Sequence, residues 1–120
     1  MFTINNEILQ MNRGDDVDFT FVINSGTPLL PVINILENDE YLYFGVMESH
    51  QKWEDSIIRK KLSSDDLDEN GNVHLHLFPE DTENLAPGTY WYMVKVLIYD
   101  KEMQTYVINT ICNKTKFIIW

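Results

Sequence analysis

The segment Pro79-Glu80-Asp81-Thr82-Glu83-Asn84-Leu85-Ala86-Pro87-Gly88-Thr89-Tyr90-Trp91-Tyr92 constrains the fold of this chain more than any other. An acidic corner leads into a Leu-x-Pro-Gly turn, and the turn opens directly into a long apolar run. Pro87 presets φ for the first turn position, and Gly88 accepts a positive φ that other residues resist. Beyond it, Tyr90, Tyr92, Val94, Val96 and Ile98 share one face of an extended strand, because strand side chains repeat every two residues. Asp81 and Thr82 are suited to hold the corner by accepting hydrogen bonds from nearby backbone N–H groups. Asp81, Thr82, Leu85, Pro87, Gly88 and Tyr90 are therefore read as structural corner residues.

The same period of two recurs along the chain. Val17, Phe19, Phe21 and Ile23 alternate with Asp16, Asp18, Thr20 and Val22 after an Arg13-Gly14-Asp15 turn. Residues 33–36 read as a short strand closed by Glu37-Asn38-Asp39-Glu40. Leu42, Phe44 and Val46 oppose Tyr41, Tyr43 and Met47, so both faces are apolar and the strand belongs inside a sheet or against a partner. Further strands fall at 57–62, 73–78 and 90–99. An Asp100-Lys101-Glu102 hairpin turn follows, with return strands at 105–111 and 117–120. Sustained 3.6-residue periodicity is absent, and one short helical turn is expected near 64–69, capped by Ser and ended by Gly71. About seven to nine strands, with turns every eight to twelve residues or so, predict an all-β chain. The expected architecture is an immunoglobulin-like antiparallel β-sandwich, a single domain over residues 1–120, in which a corner and an inward tyrosine lead into the second sheet. A partly closed barrel fits the same pattern.

Size and charge bound the function. A chain of 120 residues with 44% hydrophobic content, six Tyr, six Phe and three Trp can bury a core without disulfides or metal. Cys112 is the only cysteine, which suits a reducing compartment. Residues 1–7 have neither the basic start nor the apolar core of a secretory signal, and no apolar run is long enough for a bilayer. The expectation is a chain made in the cytoplasm with no membrane partner. A net charge of −10 repels a phosphate backbone. Arg59-Lys60-Lys61 is the only basic run, and on a strand its three charges point to two faces. It reads as a charge-protected strand, and no nucleic-acid partner is expected.

Candidate chemistry is sparse. Asp66-x-Asp68-x-Asn70-Gly71 copies the first half of a calcium loop, but position twelve is Leu77 where a bidentate Glu is required. It reads as an acidic turn. His74 and His76 point the same way from one strand, yet the sequence brings no third ligand near them, so they read as water-facing polar residues. Cys112 follows an apolar strand with no glycine-rich oxyanion loop, and reads as an inert thiol. No catalytic residue, metal site or cofactor is expected. The aromatic residues off the core face carry more. Trp91, Met93 and Tyr99 oppose the Tyr90–Ile98 face, and Tyr41, Tyr43 and Trp53 join them as a possible interface, unless loops such as Gln51-Lys52-Trp53 cover them. Exposed Trp53, Trp91 and Tyr41 would alternatively stack on sugars, as in a carbohydrate- or host-surface-binding module.

The ordered series resembles a family of small immunoglobulin-like virion proteins of tailed bacteriophages. It comprises Arg13-Gly14-Asp15-Asp16 before a Phe-rich strand, Tyr43-Phe44-Gly45-Val46-Met47-Glu48, Ile57-Ile58-Arg59-Lys60-Lys61 and Asn70-Gly71-Asn72-Val73. Pro79-Glu80-Asp81-Thr82 with Leu85-x-Pro87-Gly88-x-Tyr90-x-Tyr92, then Thr110-Ile111 and Lys116-Phe117, complete it. The resemblance implies a noncatalytic structural subunit of the virion, assembled in the host cytoplasm. It would be a capsid accessory or decoration protein first, and a baseplate, tail or neck adaptor as the alternative. Other virion proteins, or further copies of itself, would be its partners. No functional residue carries over, because the shared motif is architectural.

Overall fold

A computed structural model of the chain describes residues 3–4, 7–21, 23–24, 40–68, 72–100 and 102–120. They form nine strands: β1 (Thr3–Ile4), β2 (Leu9–Met11), β3 (Val17–Phe21), β4 (Ile23–Asn24), β5 (Tyr41–Met47), β6 (Ile58–Leu62), β7 (Val73–Leu77), β8 (Gly88–Asp100) and β9 (Thr105–Ile119). The all-β expectation therefore holds. A five-stranded sheet runs β2-β9-β8-β5-β6, and two-stranded ribbons pair β3 with β7 and β1 with β4. The expected strand at 33–36 lies outside the described residues.

The core sits between the large sheet and the β3–β7 ribbon. In that ribbon Val17, Phe19 and Phe21 stand opposite Leu77, Leu75 and Val73, so all six side chains share the inner face. Phe21 meets Phe44 and Tyr92 at ring-centroid distances of 6.2 Å each, and Phe19 meets Phe117 edge-on at 6.1 Å. Phe44, Tyr92 and Phe117 are fully buried, each contributing roughly 2 kcal/mol from removal of apolar surface. Tyr92 is paired as well as packed, its hydroxyl donating to the Glu7 carbonyl at 2.5 Å. As expected of a strand apolar on both faces, β5 lies inside the sheet, between β8 and β6.

Three expectations are corrected. The arrangement is not wholly antiparallel, because β2 runs parallel to the end of β9, with Leu9 opposite Phe117 and Met11 opposite Ile119. The return strand is one element, not two. Its pairing with β8 shifts register between Tyr92 and Lys95, and these bulges carry the strand through the polar residues 113–116. An odd step between Cys112 and Thr115 lets both face inward, opposite Val94 and Tyr92. Helical turns are also more numerous than expected. A 3-10 turn spans Ser64–Asp66, shorter than the expected 64–69, because Leu67 bridges back to Val73. A second 3-10 turn forms at Trp53–Asp55, and the acidic corner winds into a single helical turn, α1 (Pro79–Thr82). Proline at the first helical position and an Asp81 carboxylate on the Phe78 N–H explain why that corner coils.

Candidate functional site

The corner residues are joined by hydrogen bonds. Asp81 Oδ2 accepts from the Phe78 N–H at 2.8 Å and lies 2.8 Å from the Lys60 ammonium. Thr82 is fully buried, and its hydroxyl oxygen accepts from the Gly14 N–H at 2.9 Å, tying the Asn12–Asp15 turn to α1. The Leu85 N–H donates to the Thr82 carbonyl, and Leu85 packs against the core. Pro87 precedes Gly88, whose φ of +154° other residues rarely adopt. Tyr90 then turns inward, and its hydroxyl donates to the Ala86 carbonyl at 2.6 Å. That bond runs from a strand-leading tyrosine to backbone four residues upstream and fastens the turn to the strand it opens.

Register places the aromatic candidates on the outer face of the large sheet. Tyr43 stands opposite Lys61 on β6 and Lys95 on β8. Tyr41 stands opposite Leu97, Leu97 opposite Ile108, and Tyr99 opposite Tyr106. Gly45 stands opposite Arg59 and Met93, and Met47 opposite Trp91. The face is divided. At one end Trp53 folds onto Gly45, where an added Cβ would lie 2.7 Å from its ring. There Lys114 donates to the Ser49 and Gln51 carbonyls, Met47 is fully buried, and Trp91, Met93 and Trp53 are half-buried. At the other end Tyr99, Tyr106 and Ile108 are exposed by 43%, 47% and 53%, while Tyr41 and Tyr43 are half-buried.

Between the two ends runs a groove of about 680 Å³. Leu97 and Ile108 form part of its lining, with the rings of Tyr43, Trp53 and Tyr106, and with Arg59 and Lys61 of β6. Lys61 holds its ammonium 4.0 Å from the centre of the Tyr41 ring, and Lys95 holds its own 5.0 Å from that of Trp53. Tyr99 and Tyr106 pack edge-to-face at 5.3 Å. Alternation marks the aromatic members in the sequence, whereas Tyr106, Ile108, Arg59, Lys61 and Lys95 join them only in the folded sheet. The signal available was parity: Arg59 and Lys61 share a strand face, and Lys95 shares one with Trp91 and Met93.

The ribbon's outer face has the opposite character. His76 sends one ring nitrogen to Asp18 at 2.5 Å and the other to Asp16. The Asp18 hydrogen bond, with smaller help from Asp16, raises the His76 pKa against a lesser desolvation penalty. His74 contacts Asp68 through Nε2 at 3.0 Å, and its Nδ1 lies 3.3 Å from the Thr20 hydroxyl. Asp18 and Thr20 reach the histidines across the strand pair, which the spacing of His74 and His76 along one strand did not reveal. Among the described residues no group of three or more His, Cys, Asp or Glu is placed to hold a metal ion. Asp66 accepts from the Ser63 N–H, and Asp68 from the Asn72 N–H, as in an acidic turn. Cys112 is buried, its sulfur 3.6 Å from the Thr115 hydroxyl. Among the described residues no helix is long and apolar enough to cross a membrane. Compared with known proteins, the chain matches no family model, no curated protein and no solved structure.

Proposed function

We propose that this chain is a noncatalytic structural subunit that docks on another protein through the outer face of its large sheet. The observation that carries the reading is the exposed Tyr99–Tyr106–Ile108 strip at the end of the β8–β9 hairpin, continuous with the groove. Large aromatic and aliphatic side chains with arginine beside them are the composition of protein interface centres. An immunoglobulin-like sandwich is the architecture proposed, supported by the ribbon laid across the sheet and by the Tyr90 corner. The ordered resemblance to tailed-phage virion proteins supports a place in the virion, as a capsid accessory or decoration subunit before a baseplate, tail or neck adaptor. A sugar-stacking role for Trp53, Trp91 and Tyr41 is less well supported, because Lys95 and Lys61 already cover the Trp53 and Tyr41 rings.

Mass spectrometry of purified particles from the phage or prophage encoding the chain tests this. The polypeptide is expected in stoichiometric amounts, and immunogold labelling then resolves head from tail. Particles that lack it overturn the reading.

A further inference from the structure

Among the described residues Lys60 is the one Lys or Arg that pairs with a carboxylate, that of Asp81. Among the described residues Arg59, Lys61 and Lys95 form no ion pair. Arg59 donates only to the backbone carbonyls of Ser56 and Glu54, and the two lysines lie over aromatic rings. The groove they flank is lined by a single carboxylate among the described residues, that of Glu54. Arg59 and Lys61 in the lining, against that one carboxylate, leave this patch locally positive on a molecule whose net charge is −10.

We infer that the groove receives an extended, acidic segment of a partner protein, with carboxylates at alternate positions and apolar side chains between them. The inference rests on the docking role proposed above and names the chemistry of that partner. Arg59 and Lys61 alternate on β6, so their attachment points are about 7 Å apart. Residues two apart on an extended segment have the same spacing. Arriving carboxylates gain charge-assisted hydrogen bonds from donors that pair with no carboxylate among the described residues. Leu97 and Ile108 offer nothing to sugar hydroxyls but accommodate an aliphatic side chain. The overall negative charge opposes both a polyphosphate and a second copy of this chain.

The test is selection of a random dodecapeptide library on the immobilised full-length chain. Selected peptides are expected to carry Asp or Glu at alternate positions around apolar residues. The tightest should weaken at least about tenfold on an Arg59→Gln, Lys61→Gln, Lys95→Gln variant with an unchanged melting curve, and should weaken with added salt. Peptides without acidic excess, acidic peptides that bind the variant equally well, or no enrichment at all overturn the inference. Neutral peptides lost on Tyr106→Ser with Ile108→Ser overturn it too, yet leave the docking face standing. Peptides indifferent to every one of these substitutions remove both. Salt-sensitive self-association in sedimentation, abolished in the triple variant, assigns the groove to a second copy and likewise overturns the partner named here.

Discussion

Replacing Thr82 by valine isolates the hydroxyl that ties the corner to the Asn12–Asp15 turn. The side chain is fully buried, and valine keeps its branching and nearly its volume, so no cavity opens. What changes is the Gly14 N–H, which loses the acceptor now 2.9 Å away across 68 residues of sequence. A buried donor left unpaired costs about 1–3 kcal/mol, and the partial burial of this bond points to the lower half, about 1–2 kcal/mol. Thr82→Ser is the complementary change. It keeps the acceptor and forfeits one methyl, worth about 0.8 kcal/mol. The two variants therefore separate by mechanism more than by size. Urea denaturation gives each stability change, and amide exchange at Gly14 reports the bond itself. Thr82→Val should strip protection from the Gly14 amide, and Thr82→Ser should preserve it. A valine variant within about 0.5 kcal/mol of the parent, with Gly14 still protected, refutes the claim that this hydroxyl fastens the corner.

Gly45→Ala places a Cβ 2.7 Å from both the Ser56 hydroxyl and the Trp53 ring, and should cost about 1–3 kcal/mol with a red-shifted tryptophan emission; unchanged emission would contradict it. Tyr90→Phe removes the 2.6 Å bond to the Ala86 carbonyl and should lower stability by about 1 kcal/mol in urea, with no change of fold by circular dichroism. The His76 ring should titrate by NMR above the ordinary histidine value of 6.5, with Asp18→Asn lowering it more than Asp16→Asn. Because its pKa is raised on folding, the stability His76 contributes is complete below the ordinary value and fades as pH climbs through the raised one. The advantage over His76→Gln should therefore shrink with rising pH, and a constant difference would count against the clasp. Lys60→Ala should destabilise by about 1 kcal/mol, since its ion pair with Asp81 is largely screened from water, whereas exposed Lys61→Ala should stay within about 0.5 kcal/mol of the parent in the same denaturation assay.

Strands that alternate without interruption were legible in the sequence; interrupted ones were not. Val73 to Leu77 and Ile58 to Leu62 emerge within a residue of their expected bounds, the first because one face is apolar at every second position, the second because Ile58 and Leu62 bracket the charged run on one face. The β9 strand was divided, since Cys112 and Thr115 both face inward across an odd step that no period of two describes. The parallel pairing of β2 with β9 was hidden for another reason. Leu9, Gln10 and Met11 alternate too briefly to signal a strand, and their partners lie more than a hundred residues away. The helical turn at Pro79–Thr82 shows in the sequence only as a corner, although its signals, proline at the first position and Asp81 two residues on, are both present. In the candidate site, parity revealed which aromatic residues leave the core, but not that Trp53 returns to cover Gly45. A contact between a loop and a sheet face is written in shape, and Gly45 shows it only once the ring is in place.

The basic run Arg59-Lys60-Lys61 shows how one stretch of composition divides into separate tasks. Read as three like charges it is a solvated edge. Placed on β6, the middle residue turns toward the corner, where its ammonium meets Asp81 and lies 5.3 Å from the centre of the Phe78 ring. Its neighbours turn to the opposite face, beside Tyr41, Tyr43 and the groove. A lysine already paired with an internal carboxylate has little left to offer an incoming anion, whereas one resting on a ring keeps its charge available. The pleat alone, by sending alternate residues to opposite faces, thus assigns Lys60 to holding the fold and Arg59 and Lys61 to whatever the fold holds.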